Sequence, residues 1–159
     1  MASRKNITTK DNLIAQNRKA RFNYEILSTI EAGIMLTGPE VKSLRLGKIS
    51  INEAHASEEN GDIYLFNFYI EEYDNAGRET HRPRRPKKLL LHKKEISKLI
   101  GLSDQQGLTL VPLKVYFNEK GLVKVELATA KGKKIYDKRE TEKKRSWQRD
   151  KQRLLKQLN

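Results

Sequence analysis

The chain keeps its net charge out of its middle. Residues 131–159 hold twelve Lys or Arg against four acids, residues 1–21 hold six against one, and residues 22–130 hold fifteen of each sign. The formal net charge of +13 therefore lies entirely in the two ends. Only the neutral middle is dense enough in Ile, Leu, Val, Phe and Tyr to bury a core. Between residues 137 and 146 there is no apolar residue at all. Nothing there can offset the entropy cost of ordering, so this stretch reads as disordered when free. It is nonetheless rich in helix formers, and Trp147, Lys151, Leu154 and Leu158 fall on one helical stripe. An amphipathic cationic helix that forms on a partner is the expected outcome. The organisation expected is one domain with appendages: a flexible arm over 1–16, a body over 17–130 and a basic tail over 131–159. A neutral body with two cationic arms suits a polyanion, because each Lys or Arg that meets a phosphate frees a condensed counterion.

Within the body the periodicity is mostly that of strands. Alternation over 22–36 predicts one long strand with a bend or bulge at Gly33. Pro39 starts a short helix over 39–46 that Gly47 ends. Strands follow over 49–57 and 63–70, joined by a tight turn at Asn60-Gly61, where both residues tolerate positive φ. Residues 71–86, with Gly77, Pro83, Pro86 and four arginines, read as an exposed loop. A strand over 88–91, a helix over 93–100 closed by Gly101, and strands over 108–117 and 122–129 complete the pattern, with Pro112 marking an edge or bulge. Short strands with short interposed helices make the fold mainly β. A small antiparallel, OB-fold-like barrel fits best and a β-sandwich is its rival.

The chain has no cysteine, so it has no disulfide framework, thiol nucleophile or Cys-based zinc site. His55, His81 and His92 lack metal-ligand spacing, and the phosphate-loop, dinucleotide and nucleophile-elbow motifs are missing. No metal, cofactor or enzymatic activity is expected. No apolar run approaches a membrane span, and the N-terminus lacks an apolar signal core, so a cytoplasmic protein acting away from membranes is expected. The run from Lys131 through Arg139 is the richest in RNA chemistry. Gly132 lets backbone approach phosphate, Tyr136 offers a ring for stacking, and Asp137 can orient neighbouring cations. The plainer alternative is a solvated basic linker. Glu31 and Lys124, both in expected strands, could equally form an ordinary cross-strand ion pair. Trp147 and Leu154-Leu155 could fold back on the body.

Several segments, in order, resemble the SmpB (small protein B) family, the bacterial tmRNA-binding proteins of trans-translation. They are Asn17-Arg18-Lys19-Ala20, Glu31-Ala32-Gly33, Glu40-Val41-Lys42-Ser43-Leu44-Arg45, Lys88-Leu89-Leu90-Leu91, and Ala130-Lys131-Gly132-Lys133-Lys134 followed by Asp137-Lys138-Arg139. Trp147 stands where the family has it, and Tyr136 stands where many members carry histidine, which keeps the aromatic plane. The resemblance implies an OB-fold adaptor for the tRNA-like domain of tmRNA, read as a monomer. Its partners would be tmRNA, the ribosome with its small-subunit ribosomal RNA, and elongation factor Tu indirectly through tmRNA. It further implies that Asn17, Arg18, Glu31, Leu91, Lys124, Lys131, Gly132, Lys133 and Lys134 face tmRNA. Tyr136, Asp137, Lys138 and Arg139 would meet the decoding centre, and Trp147, Lys151, Leu154 and Leu155 would serve a tail helix in the empty message channel. A structural ribosomal-type RNA-binding protein is the alternative.

Overall fold

The computed structural model describes residues 12–73, 81–133 and 135–158, with the side chains of 135–137 left out. Nine strands and four helices follow one another among the described residues. The strands are β1 (Leu13–Gln16), β2 (Tyr24–Ile34), β3 (Ile49–Ser50), β4 (His55–Glu59), β5 (Asp62–Phe66), β6 (Tyr69–Ile70), β7 (Lys87–Leu90), β8 (Thr109–Phe117) and β9 (Val123–Gly132). The helices are α1 (Arg18–Asn23), α2 (Gly38–Arg45), α3 (Lys93–Gln106) and α4 (Ile135–Gln157). No described helix is long and apolar enough to cross a membrane.

The large sheet runs β1-β8-β4-β5-β7-β2-β9, and a further β8–β9 pairing joins its end back to β8. Every pairing is antiparallel. The strands thus form a closed ring, which leaves few open edges for stray pairing. The expected mainly β, antiparallel architecture with short interposed helices and a tail is what the chain adopts.

Two features show how the sequence sets the layers. The β8–β9 register shifts between Pro112 and Lys114. Pro112 has no N–H for the ladder, and the resulting bulge reverses the facing of the strand. Leu110 and Val115 point into the main core, whereas Val111 and Leu113 join Ala128 and Ala130 in a second cluster beneath Ala20 of α1. The Asn60-Gly61 turn is the second, with φ of 54° and 84°, which lets β4 and β5 pair in full register.

A polar knot fixes one side of the ring. The fully buried Lys87 ammonium donates to the carbonyls of Phe68 at 2.8 Å and Arg85 at 2.7 Å, and lies 3.8 Å from a Glu40 oxygen. Arg85 donates to the other Glu40 oxygen at 2.5 Å. Burial pushes the Lys87 amine down to about 8, partly opposed by the Glu40 charge and helped by Arg85. Burial alone would raise the Glu40 carboxyl. Hydrogen bonds from Thr37 and Arg85, with the charges of Arg85 and Lys87, more than reverse that and leave it lowered.

Several expectations need correction. Leu13–Gln16 is not part of an arm: it pairs with β8 through a strand about a hundred residues away in sequence. Residues 1–11 of that arm, and Gly77 and Arg78, lie outside the described residues. Phe22 belongs to α1 rather than to the following strand, because Asn17 caps a helix there with its side chain accepting from the Ala20 N–H. The β2 irregularity falls between Ile26 and Ser28, not at Gly33. The 49–57 and 63–70 segments each split in two, the latter at Asn67, whose φ is 56°. Helix α3 runs through Gly101 and ends at Gly107, whose φ of 61° suits only a residue at ease in the left-handed region. The segment 71–86 is anchored where it is described: His81 is buried with its Nε2 donating to the Ile70 carbonyl at 3.0 Å, and Ile70 donates to Pro83.

Candidate nucleic-acid interface

The outer face of β7, β2, β9 and β8 brings some of the expected site residues together. Register places Leu90, Gly33, Lys124 and Tyr116 across those strands in one row. The adjoining row holds Glu31, Glu126 and Lys114. Glu31 and Lys124 therefore share a face, but they are not an ion pair. The Tyr116 hydroxyl donates to the Glu31 carboxylate, and Lys114 lies 3.9 Å from Glu126. Burial raises the Tyr116 hydroxyl far above its usual range, the Glu31 hydrogen bond and the charges of Glu31 and Glu126 adding to it. These groups border a hollow of about 740 Å³ that Gln16, Asn12 and Asn118 also line. Carboxylates held on a sheet can accept from base amino groups, and Lys124 can meet phosphate.

Alternation along β7 turns Leu89 inward and Leu90 outward, and Leu91 packs half-buried against the core. Leu90 is 50% exposed and is the apolar group this face presents. Gly33 makes room for it, since a Cβ there would sit 3.2 Å from the Leu90 Cβ.

The second group lies at the other end of β9. Lys131 and Gly132 are not the start of a loose tail but the last residues of β9, paired with Glu25 and Tyr24. Lys131 comes seven positions after Lys124, a run of roughly 23 Å along a strand. The expected tmRNA-facing residues thus form two groups at opposite ends of one strand. Asn17 is only 5% exposed. Its amide is spent on the protein, accepting from Ala20 and donating to the carbonyls of Pro112 at 3.2 Å and Ile51 at 3.4 Å. It holds α1 in place, and Arg18, Lys19 and Arg21 are what α1 exposes.

The tail is already a helix in the chain by itself and leans on α1 at its root. The Lys133 ammonium donates to the Arg21 carbonyl at 3.0 Å, which lies at the C-terminal end of α1, and approaches the Thr141 hydroxyl at 3.3 Å. The Arg145 guanidinium sits 5.9 Å over the Phe22 ring. These contacts were not evident from the sequence; the nearest signal was the excess of helix formers after residue 137. Arg18, Lys19, Arg145 and Arg149 line one shared hollow. Lys138 is half-buried and Arg139 exposed. Lys134 and the side chains of Tyr136 and Asp137 lie outside the described residues. Trp147, Leu154 and Leu155 do not fold back on the ring but stay more than half exposed, with the Lys151 ammonium 5.3 Å from the Trp147 ring. Among the described residues no cluster of His, Cys, Asp or Glu is arranged to hold a metal ion.

The family model described as SmpB protein matches residues 14–157. A protein of Afipia carboxidovorans named SsrA-binding protein is 62% identical over 143 residues, 90% of this chain and 91% of that one. One of the same name from Allorhizobium ampelinum is 60% identical over 156 residues, 98% and 99% of the two chains. A chain from the solved structure "tmRNA-SmpB: a journey to the center of the bacterial ribosome" is 54% identical, with a TM-score of 0.63 over 76% of this chain and 85% of that one.

Proposed function

This chain belongs to the SmpB family, and from that premise we propose that it binds the tRNA-like domain of tmRNA and delivers it to stalled ribosomes. The observation that carries this reading is a family match that takes in both the ring and α4. It joins a charge map in which the excess of positive charge flanks a neutral body. The protein acts as a monomeric adaptor in the cytoplasm rather than as a catalyst, and meets elongation factor Tu through tmRNA.

The two groups along β9 divide the work. Glu31 and Lys124 contact the folded RNA beside Leu90, which takes the part first expected of Leu91 as an apolar platform for a base or ribose. Arg18, Lys131, Lys133 and Lys134 neutralise its phosphates where Gly132 lets backbone come close, and Asn17 serves by positioning α1. Tyr136, Asp137, Lys138 and Arg139 meet small-subunit ribosomal RNA in a decoding centre that lacks a codon. The stripe of Trp147, Lys151, Leu154 and Leu155 then seats α4 in the empty message channel.

Filter binding to a tmRNA acceptor-arm fragment, compared with bulk tRNA at fixed salt, tests this. Tighter binding of the tmRNA fragment is expected, with log K falling against log salt by roughly 0.7 to 0.9 per phosphate contacted. Equal affinity for the two RNAs overturns it.

A further inference from the structure

A cleft of about 270 Å³ lies between α1 and the small β3–β6 ribbon. That is slightly below the range of sites for drug-sized ligands, roughly 300–1000 Å³, and suits something smaller. One wall is the Tyr69 ring with the Arg84 guanidinium 5.5 Å from its centroid. The rest is Lys19, Ser50, Asn52, Asn67 and Glu53. The cleft is held in shape from below, because Asn17 ties α1 to the Ile51 carbonyl at the turn that carries Asn52 and Glu53.

The polar groups here are uncommitted. Asn17 has both ends of its amide engaged, whereas the side chains of Ser50, Asn52 and Asn67 make no hydrogen bond to any other described residue. Asn67 also holds a left-handed backbone, φ 56°, which costs free energy for any residue with a Cβ and tends to persist where something depends on it. A ring with a guanidinium over it, two free amides, one carboxylate and one lysine make a specific set. The ring and guanidinium offer a plane to a base, and the amides offer donor–acceptor pairs to its edge. Glu53 argues against a bare phosphate or other small anion as occupant, since it would repel one. A carboxylate there suits an N–H donor instead.

We propose that this cleft takes one unstacked RNA nucleotide whose base carries an exocyclic amino group. The base lies against Arg84 and Tyr69, its amino group donates to Glu53, and Asn52 and Asn67 bond the rest of its edge. Lys19 meets the adjoining phosphate. Lys19 also lines the hollow shared with Arg18, Arg145 and Arg149, so the strand leaving the cleft has a basic track to follow. The proposal rests on the reading of the chain as an RNA-binding adaptor and adds a base-reading subsite to it.

Cytosine and uracil differ at this edge by an amino group against a carbonyl, at equal charge. The full chain is titrated with oligocytidine and oligouridine of eight nucleotides. Oligocytidine binds tighter by roughly tenfold, and the ratio stays constant as salt rises because both strands have the same phosphates. Glu53→Gln and the double variant Asn52→Ala with Asn67→Gly erase the ratio; glycine keeps the backbone at residue 67. In parallel, photo-crosslinking of the wild-type chain to RNA carrying 5-iodocytidine, mapped by mass spectrometry, labels the peptide containing Tyr69. Equal affinity for the two oligomers, or a ratio that survives both variants, overturns the proposal, as does crosslinking confined to other peptides. Loss of binding to every RNA, the tmRNA fragment included, refutes the adaptor reading instead.

Discussion

Strands β8–β9 and helix α4 are successive and of similar length, yet they are stabilised in opposite ways. The β8–β9 pair buries Leu110, Val111, Leu113, Val115, Val125, Leu127, Ala128 and Ala130 and is held by register on both flanks. Helix α4 has no residue classed as buried among those described, and its large apolar side chains face outward. The pair owes its conformation to partners far away in sequence. The helix owes its own to local propensity and a few contacts at its root. One region is therefore fixed by tertiary packing, and the other leaves its large apolar side chains uncovered.

Removing residues 134–159 is the strongest test of that contrast. It should abolish ribosome association in sedimentation assays while changing unfolding free energy by no more than about 0.5 kcal/mol. A cut placed before Lys131 should cost stability as well, because Lys131 and Gly132 belong to β9. If the shorter truncation unfolds the ring, the division is false. The same chemistry in the two regions gives the next comparison. Leu127→Ala should cost roughly 2–5 kcal/mol in denaturant unfolding, and Leu154→Ala under about 0.5 kcal/mol.

The buried knot sharpens the picture through pH. Lys87 sits near 8 in the fold against an ordinary 10.5. Between those values the unfolded chain holds the proton more tightly, so stability from this group rises with pH. That contribution is full above 10.5 and is lost as pH falls below about 8. Relative to Lys87→Met, the wild-type unfolding free energy should gain on the order of 1 kcal/mol per pH unit across this window. A flat difference would mean the amine is not held as described. The most local effect is expected at the root of the tail. Phe22→Ala or Arg145→Ala should weaken α4 by about 0.5–1 kcal/mol, seen as faster amide exchange around residue 145 with exchange in β8 and β9 unchanged.

What could be read from the sequence was decided by nearest neighbours. Asn60-Gly61, Gly47 at the end of α2, and the Pro112 bulge each follow from the backbone limits of the residues themselves. The rest depended on distant partners. The short run Leu13–Gln16 has no strong pattern of its own and is a strand only because β8 offers an edge. Gly101 looked like a helix end, but Gly107 provides the left-handed cap and Gly101 is carried within α3 at a cost of about 1 kcal/mol. The same holds for the interface. That Glu31 and Lys124 share a face is a matter of register, and so is the Tyr116 hydroxyl as the partner of Glu31. A one-residue difference in where β7 ends decides between Leu90 and Leu91, since alternation reverses with each step.

The knitting of Gly132 to Tyr24 has a mechanical consequence. With 23 residues, α4 is a rod of about 35 Å whose near end starts just beyond the sheet. A swing of ten degrees at that fulcrum would carry the far tip roughly 6 Å, nearly two base steps of 3.4 Å. The Lys133 anchor and the Phe22–Arg145 contact lie beside that fulcrum, so a small adjustment next to α1 would carry Trp147 and Leu154 a long way.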